Sequence, residues 1–197
     1  MLAERMNTFS GSPTSALIAK VAELRAEGKD IISLNVGEPD FGTPDYIKCG
    51  AIKAIVDNFS KYTAGNGIIE LRRLISKKLH EDNNLEYTTD EICATVGAKQ
   101  AIFNSIMALV DPGDEVLLPV PCWVSYTEMI KFAGAKPVFV DVEAETFDLD
   151  IEALEKAVTT KTKAIVICTP NNPTGATAPD WFYEELIAFA KKYDIMV

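Results

Sequence analysis

The apolar positions of this chain change rhythm near Glu91. Before that point they recur at helical spacing. Residues 13–27 carry Ala16, Leu17, Ile18, Ala19, Val21, Ala22 and Leu24, and Gly28 supplies a stop. Residues 44–58 and 67–81 repeat the pattern, the second with Ile68, Ile69, Leu71, Leu74, Ile75 and Leu79 on one side. A short strand is predicted at 31–34, running into a loop broken by Gly37, Pro39, Gly42 and Pro44. The connector "KYTAGNG", between the second and third helices, holds Tyr62.

Beyond Glu91 strand-like and helix-like stretches alternate. "ICATV", "EVLLPV", "KPVFVDV" and "KAIVICT" read as strands; "AKQAIFNSIMALV", "WVSYTEMIKFAGA", "DIEALEKAV" and "DWFYEELIAFAKKY" read as helices. This alternation predicts an α/β fold, a three-layer αβα arrangement with helices on both faces of a mostly parallel sheet. Ligands of such sheets bind in the loops at the carboxyl ends of the strands. The final "DIMV" reads as the start of a fifth strand, so the sequence is expected to be part of something longer, with an open sheet edge and an uncovered apolar face.

Composition narrows the function classes. The chain has 197 residues, 48% hydrophobic and 24% charged, values of an ordinary globular protein. Its net charge of −10 argues against nucleic acid or an anionic membrane as partner. No stretch reaches the ~18 apolar residues of a membrane helix, and the start lacks the apolar core of a signal peptide, so a cytoplasmic location is expected. Cys49, Cys93, Cys122 and Cys168 match no zinc or CxxC spacing and are expected to be reduced, mostly buried thiols.

Three strand ends carry candidate chemistry. In "TVGAKQ", Gly97 permits a close turn from a strand into a helix, whose first N–H groups suit a phosphate, although such a glycine is commonly only a turn. "PVPCWVSY" puts Trp123 and Tyr126 after the next strand, where an indole either stacks on a flat ring or packs into the core. In "TPNNPTGA", Pro173 favours an extended backbone at Asn172 and could aim its amide across the crevice, the plainer reading being an Asn-Pro turn. No strand end carries the GxGxxG of a dinucleotide-binding fold.

Together, "LNVGEPDF", "KYTAGNGIIELR", "VGAKQAIFN", "DPGDEVLLPVPCWVSY" and "TPNNPTGA" resemble, in order and spacing, the amino-terminal half of the class I aminotransferases of the aspartate aminotransferase family, pyridoxal-phosphate enzymes of the first fold type. The resemblance implies that Gly97, Ala98 and Lys99 hold the cofactor phosphate, that Trp123 stacks on the pyridine ring, and that Asn172 donates to its 3-oxygen. It also implies that Tyr62 reaches the phosphate of a neighbouring subunit in a homodimer, and that Gly37 lies beside the substrate carboxylate. Substrate contacts are implied for Gly37, Lys99, Trp123 and Asn172, with Lys99 able to meet the distal carboxylate of aspartate or glutamate.

The domains implied are an N-terminal arm and start of the small domain (1–43) and a partial cofactor-binding large domain (44–197). The family's Schiff-base lysine, its aspartate for the pyridine nitrogen and its arginine for the α-carboxylate have no counterpart in these residues, so no catalytic residue is assigned and the chain alone is expected to be inactive. The reaction expected of the complete protein is transamination of aspartate or glutamate with 2-oxoglutarate. The alternatives are a non-catalytic cofactor-binding or dimerising module, or another enzyme of the fold type such as a β-lyase.

Overall fold

Residues 115–120, EVLLPV, form the middle strand of the sheet because both of their faces are covered. In the computed structural model, which describes residues 3–8, 11 and 13–197, Val116, Leu117 and Leu118 are 1%, 0% and 0% exposed. Such a continuous apolar run is typical of a parallel strand buried on both sides. Strand β1 (Glu115–Val120) pairs in parallel with β2 (Lys136–Asp141) and β3 (Thr162–Ile165), in the order β2-β1-β3.

The period-two alternation of β1 divides two cores. Val116 and Leu118 pack with Ile106 of α4 (Gly97–Leu109) and with Tyr126, Met129 and Ile130 of α5 (Ser125–Phe132). Leu117 faces the other way, into Leu154 of α6 (Ile151–Ala157) and Phe182, Leu186 and Phe189 of α7 (Asp180–Tyr193). The expected three-layer αβα architecture is therefore present. A second compact unit, Thr14–Ala101, holds nearly all of α1 (Pro13–Ala26), with α2 (Asp45–Val56) and α3 (Ile69–Asn83). The sheet unit comprises Ile102–Val197 and the described residues before Thr14.

Several expectations need correction. Residues 31–34 and 92–96 are not strands, because neither finds a pairing neighbour among the described residues; Ile32, Leu34 and Val96 are 87%, 92% and 88% exposed. The strand expected at 163–169 ends at Ile165, although the Val166 N–H still reaches the Leu117 carbonyl at 3.1 Å. The described sheet thus has three strands, not five, extended by one parallel bridge between Ala164 and Met196 where "DIMV" begins to run beside β3. On α3, Leu71 and Leu74 face outward and the covered stripe runs through Ile68, Ile69, Arg72, Ile75 and Leu79. No cysteine is buried: Cys49 and Cys93 are exposed, Cys122 and Cys168 half-buried, and all four are free. No helix among the described residues is long and apolar enough to cross a membrane.

Polar groups tie the amino end of the sheet. Glu115, 8% exposed, accepts from the Thr159 hydroxyl at 2.6 Å and the Lys136 ammonium at 3.1 Å, and these bonds hold its carboxyl below the usual range. A carboxyl depressed in the folded state stabilises above its unfolded pKa, and that contribution disappears as pH falls through the folded value. Glu115→Gln is therefore expected to lower stability by about 1–2 kcal/mol at pH 7. In urea unfolding the gap between variant and wild type should close below the depressed pKa; a pH-independent gap would contradict this account.

Candidate cofactor site

Within the Thr14–Ala101 unit, the chain enters α4 through Gly97, whose φ of +75° is a left-handed conformation that glycine adopts without strain. Its N–H donates to the Thr95 carbonyl at 2.9 Å, and the Thr95 hydroxyl returns a bond to the Gly97 carbonyl at 3.1 Å. The Val96 N–H is taken by the Gln100 side chain at 2.7 Å. First-turn N–H groups have no acceptor inside a helix, so the Ala98 N–H belongs to a set that suits an anion. A Cβ built at Gly97 meets nothing within 4 Å, so the approach to this turn is open. Lys99 sits on the same exposed first turn.

Tyr62 and Gly37 belong to the same unit. Tyr62 is fully exposed on its connector, which turns back at Gly67 through a bond from the Gly67 N–H to the Ala64 carbonyl at 3.0 Å. Gly37 is exposed, with nothing within 4 Å of a Cβ built there.

In the sheet unit, the loops leaving β1 and β3 bring Trp123 and Asn172 to one carboxyl edge. Trp123 is half-buried against the core beneath α5 and meets Tyr126 edge-on, ring centroids 5.3 Å apart at 89°. Burial, helped by a hydrogen bond with Cys168, pushes the Tyr126 phenol up to about 12. Burial also raises the Cys122 thiol. Both therefore stay protonated near neutral pH and are poor nucleophiles.

The two asparagines of the NNPTG corner divide the work. Asn171 ties the loop: its side-chain oxygen accepts from the Thr174 N–H at 3.2 Å and hydroxyl at 3.0 Å, its N–H donates to the Ala176 carbonyl at 2.8 Å, and its carbonyl accepts from the Gly175 N–H at 2.8 Å. Asn172 is exposed, precedes a cis Pro173, and its side chain makes no hydrogen bond to any described residue. The Asn171 role escaped the sequence reading, yet an Asn with a Thr three residues on is the signature of a side-chain-closed turn.

An open cleft lies at the same edge, lined among others by Cys122, Tyr126, Cys168, Asn171 and Trp181. Trp123 and Asn172 do not line it, so we do not identify the cleft with the ring site. A flat anionic cofactor needs N–H donors for a phosphate, an aromatic wall and a donor for a ring oxygen. The open Gly97 turn of one unit offers groups of the first kind, and Trp123 and the unengaged Asn172 amide of the sheet unit offer those of the second and third, so the chemistry of each unit, taken by itself, suits part of pyridoxal phosphate.

Comparison with known proteins agrees. The family model "Aminotransferase class I and II" matches residues 29–197. A probable aspartate/prephenate aminotransferase of Rickettsia conorii is 47% identical over 192 residues, 97% of this chain and 47% of the relative. An aspartate/prephenate aminotransferase of Nitrosomonas europaea is 44% identical across 100% of this chain and 50% of its own length. The solved aspartate aminotransferase of Thermus thermophilus with maleate superposes with a TM-score of 0.95 at 42% identity, covering 100% of this chain and 52% of that one. The chain thus spans about half the length of the relatives it matches. Enzymes of this kind depend on pyridoxal phosphate, and the chain belongs to the class I and II aminotransferases.

Proposed function

We propose that the protein carrying this chain transfers the amino group of aspartate or glutamate to 2-oxoglutarate or another 2-oxo acid, with pyridoxal phosphate as cofactor. When bound, that cofactor supplies the electron sink that weakens the bonds at the amino acid's α-carbon. The observation that carries the assignment to this chain's residues is the unengaged Asn172 amide, presented by a loop that Asn171 holds closed. As a donor to the ring's 3-oxygen, Asn172 favours the phenolate and holds a proton off that atom. Trp123 forms one wall and keeps water from it, and the first turn of α4, Gly97 to Lys99, holds the phosphate.

Lys99 supplies a cation for a distal carboxylate, and Gly37 leaves room at the α-carboxylate. Maleate, bound in the Thermus relative, is a four-carbon dicarboxylate, which supports an acidic substrate. The name of the relatives makes prephenate a second oxo acid to test. Tyr62, exposed to its full surface, suits a contact with the phosphate in a second subunit, so we propose a homodimer with shared sites. Residues 44–197 would form part of the cofactor domain and residues 1–43 the arm and start of the small domain.

The test uses the complete protein. Added pyridoxal phosphate is expected to give a saturable absorbance band that borohydride fixes on one lysine, and aspartate with 2-oxoglutarate is expected to yield glutamate. Labelling scattered over many lysines would overturn the cofactor assignment. Turnover of alanine at many times the rate of aspartate would overturn the acidic substrate.

A further inference from the structure

Arg72 is the one charged side chain on the covered stripe of α3, 8% exposed. A buried guanidinium is costly unless its donors are satisfied. Its nearest carboxylate, Asp90, stands 3.8 Å away and is 96% exposed, which makes a loose pair. The close partners are backbone carbonyls from two separate segments: Nε donates to Gly67 at 3.2 Å and Nη1 to Thr89 at 2.7 Å. Gly67 closes the connector that carries Tyr62. Thr89 opens a short 3-10 turn, Thr89–Glu91, capped by the reciprocal bonds of Thr88 and Glu91, and the chain then runs on to Gly97.

The same two segments touch again further along. The Ala94 N–H donates to the Asn66 carbonyl at 3.0 Å, and a Cβ built at Gly67 would lie 2.8 Å from the Ala94 Cβ. Gly67 has φ +98°, so this approach of backbone to side chain depends on glycine. Ala94 is three residues from Gly97, and Gly67 is five from Tyr62. One junction thus fixes the register between the connector and the approach to the helix start.

Resting on the reading of Tyr62 and of Gly97 to Lys99 as phosphate-holding elements, we propose that Arg72 is a positioning residue that braces both of them. Because Tyr62 serves the neighbouring subunit's phosphate while Gly97 to Lys99 serve their own, the brace ties the phosphate grips of two sites to one side chain. A fork of fixed donors reaches the two carbonyls from two separate nitrogens, a geometry that the single ammonium nitrogen of a lysine does not reproduce. The effect falls on the cofactor's phosphate and not on its ring, since the braced segments contain neither Trp123 nor Asn172.

The test measures the affinity of the complete apo-protein for pyridoxal phosphate and for pyridoxal, which lacks the phosphate, by absorbance titration. R72Q is expected to weaken pyridoxal phosphate about tenfold or more and to leave pyridoxal unchanged. R72K, which keeps the buried cation without the fork, is expected to show the same selective loss at about threefold, and carries the test if R72Q does not fold. Equal losses for both ligands, or no loss for either in the soluble variants, would overturn the proposal. A wild-type protein that holds pyridoxal phosphate no better than pyridoxal would instead overturn the functional reading beneath it, which separates the two failures.

Discussion

Replacing Leu117 with alanine is expected to remove about 2–5 kcal/mol of stability. Leu117 is fully buried in the middle of the central strand, between Val138 of β2 and Ile165 of β3. Its side chain enters the core formed with Leu154, Phe182, Leu186 and Phe189, so α6 and α7, with the flanking strands β2 and β3, border the space it fills. A cavity walled by two strands and two helices collapses only by moving several elements together, which places the cost in the upper part of that range. Since domains are commonly stable by only ~5–15 kcal/mol, the variant loses much of its margin. Urea unfolding checks this through a lowered midpoint at constant m-value. A loss under about 1 kcal/mol would show that the face beneath α6 and α7 is not closely packed.

Gly97→Val is expected to weaken pyridoxal phosphate about 100-fold in the complete protein. Space is not the obstacle, because nothing lies within 4 Å of a Cβ at this position. The obstacle is φ +75°, where a β-branched residue bears strain of roughly 2–3 kcal/mol. The turn can relieve that strain only by rotating, which breaks the Thr95 bonds and turns the first N–H groups of α4 away from the phosphate. Strain of that size corresponds to about 30- to 150-fold in affinity. Titration of apo-protein reads the change, and unaltered affinity would remove Gly97 from the cofactor's cradle.

Much of the fold was legible because its elements have opposite periodicities. EVLLPV and DWFYEELIAFAKKY coincide with β1 and α7, since one is a run covered on both faces and the other an amphipathic helix. The expected strands at 31–34 and 92–96 failed for a non-local reason. A strand is made by its neighbour, and apolar alternation cannot say whether that neighbour is present. Arg72 was missed because a charged residue among Ile68, Ile69 and Ile75 reads as a solvated position; its place on the apolar stripe was the available signal. The candidate residues themselves were legible as glycine, aromatic and amide at loop positions. That Asn171 closes the corner while Asn172 stays unengaged depends on hydrogen bonds that two adjacent identical residues cannot announce.

The strand order β2-β1-β3 has a consequence for where a ligand can enter. From β1 the chain crosses by α5 to β2 on one side; it then returns by α6 past β1 to β3 on the other, and continues by α7 to Met196 beyond. The winding direction therefore reverses between β1 and β3. The loop after β1 leads to α5 on one face, and the loop after β3 leads to α7 on the opposite face. Two loops that part in this way leave a gap that neither helix covers, the topological switch point of an open α/β sheet. Trp123 lies on one of those loops and Asn172 on the other, so the order of the strands, before any side chain is chosen, brings the two residues proposed for the cofactor ring to one edge of the sheet.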